Sequence, residues 1–283
     1  MSDAVAANGD RTTLFGISVA IVGFACVAPL WFAIHLWSSP TVVNPKDYQL
    51  IVGQPIELAI APISIILGFG LPSLVMCLPA PDLISFESKQ TWAGIQQGWA
   101  IWIGLVQLAL TAIVMSVNQK ATILTDADKK VKTIKYLRRA YAFALASSAG
   151  AHLASWSLPL LAYAFPVLFS PTYLPQLQPS RIFVPVVPFG SEQVKTLADG
   201  ALGFLQWDLI TGTVATLLWG LTLRIYAKNE VATPIQWIIG LVKVAVIATL
   251  VGPAGAAVIA IWGRDELVFA HSDTTAESKD KSA

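Results

Sequence analysis

Two carboxylic acids stand where carboxylic acids are costly. Asp208 lies in Phe204-Leu205-Gln206-Trp207-Asp208, eleven residues into an apolar run that begins near residue 197, and Glu57 follows Gly53-Gln54-Pro55-Ile56 near the start of another. A charge near the centre of a bilayer costs several kcal/mol, so an ionisable group at that depth is a functional candidate. Desolvation disfavours the anion. A carboxyl kept neutral at pH 7 can serve as a general acid, while a second carboxyl acts as base or orients the first. Each residue also has a plainer reading. Asp208 could be a structural carboxyl hydrogen-bonded across helices, and Glu57 could sit at the membrane interface.

The other intramembrane polar groups are fewer and weaker. His152 falls mid-helix with Trp156 at i+4, a setting that also suits a satisfied structural histidine. His35 lies near a helix end. Asp199 stands at a helix start, where the dipole already favours it. Lys243 could snorkel or pair with a carboxylate. Among ten tryptophans, Trp31, Trp37, Trp92 and Trp262 fit an interfacial belt. Trp99, Trp102, Trp156, Trp207 and Trp219 fall deeper. Facing a cavity, their rings could stabilise a carbocation; facing lipid, they are packing. Gln206 could orient Asp208. Cys26 and Cys77 lie in apolar stretches and read as buried small hydrophobes. No metal-binding spacing occurs, and neither a metal nor a cofactor is expected.

Elements able to position these groups must be membrane helices. The 283 residues have 12% charged and 55% hydrophobic content and a mean hydropathy of +0.65. A soluble domain carries roughly 25% charged residues. The apolar residues fall into blocks of about 20 or more, enough to cross a bilayer. The pattern predicts an all-α, polytopic bundle of six to seven spans in one membrane domain, near 14–38, 50–78, 93–117, 140–169, 197–223 and 235–262. Gly252-Pro253-Ala254-Gly255 makes the last block either one long tilted helix or two helices. Seven of the 18 basic residues fall in the 118–139 loop, which places it in the cytoplasm, together with the 39–49 and 224–234 loops. With six spans, the N-terminus and the polar tail (264–283) are lumenal; a seventh moves only the tail. The proline-rich 170–196 segment should cap one helix end, and the stretch from Ser272 onward should be disordered. A net charge of +1 gives no sign of nucleic-acid binding.

An early intramembrane Glu and a late Gln-Trp-Asp in a small helical membrane protein resemble the fungal membrane-bound terpene cyclases of meroterpenoid pathways. The likeness is to the ascofuranone and ascochlorin type and, more distantly, to the pyripyropene type. It implies an endoplasmic-reticulum enzyme whose substrate is a lipophilic, epoxidised farnesyl-type prenylated aromatic. It also implies that Glu57 and Asp208 protonate the epoxide and steer the cation, with Trp207, Trp219, Trp102, Trp156, Gln206 and His152 as candidate lining. The pyripyropene type has Asn and Trp before its glutamate, where this chain has Gly53-Gln54-Pro55-Ile56. The sequence lacks both the Asp-rich, magnesium-binding clusters of diphosphate-ionising cyclases and a DxDD run, which favours protonation of a neutral substrate. Two other classes stay open. A small proton-coupled transporter could use Asp208, Lys243 and the Gly252–Gly255 break. A non-catalytic membrane scaffold could dock partners on the 118–139 loop.

Overall fold

The computed structural model describes residues 14–117, 124–187, 190, 194–228 and 233–280, with 273–280 as backbone only, and no strand occurs among them. The helices that matter for the site are α1 (14–22), α2 (Phe24–Ser38), α3 (Pro55–Cys77), α4 (Phe86–Gln97), α5 (Trp99–Val117), α6 (Asp126–Ala164), α7 (Pro179–Phe183), α8 (Leu197–Lys228) and α9 (Pro234–Asp280), with a single turn at Pro40–Val43 after α2. Four of them are long and apolar enough to cross a membrane: Pro55–Cys77, Trp99–Val117, Leu197–Lys228 and the Pro234–Ser272 part of α9. Phe24–Ser38 is a shorter apolar helix. The chain divides into two compact units. The first takes in the chain up to Gly23, Val43–Phe143 and the chain from Val268; the second takes in Phe24–Val42 and Ala144–Leu267.

Glycine and proline shift the expected boundaries. The run 14–38 is two helices, because Gly23 adopts φ 99°, a left-handed conformation that ends one helix before the next begins. The second span starts at Pro55, whose missing N–H is harmless at a first helical position, rather than at residue 50. It passes Pro62 and Pro72 through a π-helical stretch, Ile66–Gly70. The third apolar stretch breaks at Gly98, and the Trp102 indole bridges the break by donating to the Ile95 carbonyl at 2.8 Å. The fourth begins at Asp126 instead of 140, so much of the expected 118–139 loop is helix; residues 118–123 lie outside the described residues. α9 continues to Asp280, where a polar, disordered tail was expected. Arg264, Asp265, Val268 and Phe269 are buried rather than part of a tail. Cys26 and Cys77 are exposed, not buried.

In the first unit, α3 packs closely on α5: a Cβ at Gly68 would meet the Ile103 backbone nitrogen at 2.6 Å. Thr133, fully buried, donates to the Gly53 carbonyl at 3.4 Å, and Lys130 donates to Ser272 Oγ at 2.7 Å.

In the second unit, α2 and α8 run parallel. Asp208 meets Ala25, the Phe24 ring fills the place of a Cβ at Gly212, and Trp219 meets His35. The part of α9 after Gly252 is parallel as well. Cβ atoms at Gly220 and Gly263 would lie 3.6 Å from Ala260 Cβ and 2.7 Å from Arg224 Nη1, respectively.

These contacts force α9 to fold back. If it were straight, Pro234 would lie about 40 Å up the axis from Gly263, at about 1.5 Å per residue. Lys228, on the far side of that level, reaches Pro234 through six residues, at most about 21 Å. The reversal falls at Gly252, whose φ 80°, ψ 161° is a glycine-only conformation.

Candidate active site

Asp208 points at the start of α2. Its Oδ1 accepts the Ala25 backbone N–H at 2.8 Å. Ala25 is the second residue of α2, and the first four N–H groups of a helix have no partner within it. In apolar surroundings a bare N–H is expensive, so Asp208 has structural work as the cap of a helix that Gly23 has cut. Gly212 and Trp219, four and eleven residues on, continue the same stripe. Gly212 lets the Phe24 ring approach, and Trp219 stacks on Phe32 at 4.6 Å while donating to His35 Nδ1 at 3.1 Å.

The residues beside Asp208 hold the proline-rich segment against the helix ends, as a cap should be held. The Gln206 amide donates to the Arg181 and Ile182 carbonyls at 2.8 and 2.7 Å, and the Trp207 indole donates to the Val186 carbonyl at 2.9 Å. The Gln206 NH2 group is thus committed to α7 rather than to Asp208. Trp156 stacks on Phe183 at 3.8 Å, and Arg181 pairs with Asp199 at 2.8 Å. Residues 188, 189 and 191–193 of this segment lie outside the described residues. His152 contacts the Thr249 carbonyl through Nε2 at 3.1 Å and abuts the place where a Cβ of Gly252 would stand. His152 therefore braces the α9 reversal. Lys243 is exposed on α9.

Glu57 and Trp102 belong to the first unit. Glu57 occupies the first turn of α3, where the helix dipole favours a carboxylate, and is half-buried. The Gln107 amide donates to the Glu57 backbone carbonyl at 3.0 Å, and its oxygen accepts from Ser64 Oγ at 2.8 Å. Ser64 is fully buried. Gln107 thus ties the Glu57 turn to the body of α3. Its sequence signal was a lone amide in the apolar run of α5. The second group without a forecast is the buried pair Arg264–Asp265, at 2.6 Å, with Arg264 also reaching the Thr41 carbonyl at 3.4 Å. Its position at the edge of the last apolar block disguised it as tail. Among the described residues, no group of three or more His, Cys, Asp or Glu could hold a metal ion.

A CtvD domain profile matches residues 7–269. The chain belongs to the CtvD-domain family. It is 29% identical over 255 residues to terpene cyclase ctvD of Aspergillus terreus, covering 88% of this chain and 66% of that one. It is 27% identical over 276 residues to terpene cyclase ascI of Acremonium egyptiacum, and 24% over 272 residues to terpene cyclase verU1 of Penicillium polonicum; each covers 95% of this chain and 66% of the relative. The chain thus spans just under two thirds of the length of these curated relatives. No solved structure matches it. The resemblance read from Glu57 and the Gln-Trp-Asp stretch therefore holds at the level of family.

Proposed function

We propose that this chain is an integral membrane terpene cyclase that protonates an epoxidised, farnesyl-type prenylated aromatic and cyclises it. The observation that carries this reading is the family match across 7–269, among relatives named terpene cyclases. That match spans both units, which supports one working membrane domain. The proposed acid is Asp208. The N–H bond anchors Oδ1 and leaves Oδ2 to carry the proton. Oδ2–H protonates the epoxide oxygen, the C–O bond breaks, and chain alkenes attack in turn to form C–C bonds. The last cation loses a proton to a base, for which Glu57 is the candidate; Glu57 then releases that proton and Asp208 is reprotonated before the next turnover, so the reaction is a redox-neutral isomerisation. Trp207, Trp219, Trp102 and Trp156 are proposed to present ring faces to the cation. The apolar bundle dissolves the prenyl chain and keeps water from quenching it.

The route needs no metal ion, and turnover is expected to survive a chelator; loss of turnover on chelation would overturn it. The proposed setting is the endoplasmic reticulum membrane, with 118–139 cytoplasmic. We further propose seven spans, because the reversal at Gly252 turns the last apolar block into two crossings. The deciding experiment is expression in yeast with a panel of epoxidised farnesyl-phenols. Products isomeric with the substrate, seen by mass spectrometry and absent from an Asp208→Asn strain, support the reading. No conversion of any panel member by well-expressed protein overturns it.

A further inference from the structure

The N-terminal end of α6 has two unlike faces. Thr133 is buried against Gly53, and Lys130 turns inward, donating to Ser272 and lying 4.6 Å from the Tyr48 ring centroid. At 3.6 residues per turn, Lys132, Lys135 and Arg139 fall within about 60° of one another, on nearly the opposite side of the helix. All three are exposed. Lys135 and Arg139 flank the Tyr136 ring, at 6.0 and 5.5 Å.

On the seven-span reading, in which α6 is one of the crossings, the stripe also stands at a defined depth. Residues 140–164 contain no Asp, Glu, Lys or Arg and, as helix, span about 37 Å, enough for a hydrocarbon core of about 30 Å. The three cations lie about 2–12 Å before that stretch, a range that takes in the polar headgroup layer, about 5–8 Å per leaflet. The carboxylates on this end of α6 are Asp126 and Asp128 in the first turn. There they suit the helix dipole, and Asp128 accepts from Thr125 Oγ1 at 2.7 Å.

We propose that Lys132, Lys135 and Arg139 form a docking stripe for the phosphate of an anionic phospholipid, with Tyr136 seated at the glycerol level. The occupant follows from charge and depth together: three cations on one face, level with headgroups, complement the negative leaflet. The proposal is independent of the cyclase chemistry and rests on the proposed crossing of α6 with its basic end at the cytoplasmic leaflet.

The test uses full-length protein in nanodiscs of phosphatidylcholine with a minor fraction of phosphatidylserine or phosphatidylinositol, with retained lipid read by native mass spectrometry. Wild type should enrich the anionic lipid, and enrichment should collapse near 1 M salt, where screening acts within about 3 Å. K132Q/K135Q/R139Q should lose at least about fivefold of the enrichment, while the charge-keeping K132R/K135R/R139K retains it. Absence of salt-sensitive enrichment in wild type overturns the proposal, even if the glutamine variant inserts poorly. Undiminished enrichment in a well-folded glutamine variant also overturns it. So does a glutamine variant that keeps its lipid but loses a stoichiometric protein partner, which would make the stripe a protein-docking surface.

Discussion

At the scale of the residue, Asp208 holds two duties that substitutions can separate. Capping needs only an acceptor at Oδ1, and catalysis needs a transferable proton. Asp208→Asn keeps the acceptor facing Ala25 N–H, so it should insert and melt like wild type while losing turnover by about 10²–10⁴-fold. Asp208→Ala loses both, with an added stability cost of about 1 kcal/mol, the usual worth of a helix cap. Thermal melting in detergent beside product yield reads the two apart, and an Asn variant cyclising at near wild-type rate would leave Asp208 purely structural. Gln107 offers a parallel case. Gln107→Leu removes a donor from Glu57 O and an acceptor from Ser64 Oγ. An intramembrane side-chain hydrogen bond is worth about 0.6–2 kcal/mol, so this variant should melt lower than wild type, whereas a wild-type melting curve would show the bridge to be idle.

At the scale of the element, the sequence showed helices well and their breaks badly, for a physical reason. Apolar length sets where a helix can cross, so all six blocks lie largely on observed helices. Whether a glycine ends a helix depends on its φ, which composition does not encode. Gly23 cuts its helix, whereas Gly70 and Gly94 do not. Asp208 was legible because a mid-helix acid is anomalous; its partner was not, because Ala25 N–H becomes available only through the break at Gly23. Arg264 and Asp265 were misread because charge at the edge of an apolar block resembles an exit from the membrane. Gly252 gives the sharpest test. Gly252→Ala places a Cβ 3.0 Å from the His152 ring in a conformation that costs about 1–3 kcal/mol for other residues. It should destabilise the protein by that amount or more. Adding His152→Ala should recover only the steric part, and full recovery would mean that backbone strain is absent.

At the scale of the whole molecule, the parity of the spans decides on which side the chain ends. An even number puts both termini in the lumen if the basic 118–139 segment is cytoplasmic; an odd number separates them. Within the second unit, Arg264 reaches Thr41, and Gly263 abuts Arg224, so the end of the last crossing shares a level with two connections expected in the cytoplasm. Within the first unit, Ser272 meets Lys130 of the basic segment. Both sets of contacts favour seven crossings. Single cysteines at Ser2, Lys132 and Ala283, in a chain carrying Cys26→Ala and Cys77→Ala, make this measurable in sealed microsomes with a membrane-impermeant maleimide. Positions 132 and 283 should react from outside, and position 2 only after permeabilisation. Protection of position 283 together with position 2 would restore six crossings and require α9 to traverse once, which the reach from Lys228 to Pro234 does not permit. Labelling of position 2 with protection of 132 would invert the protein and remove the charge argument for its orientation.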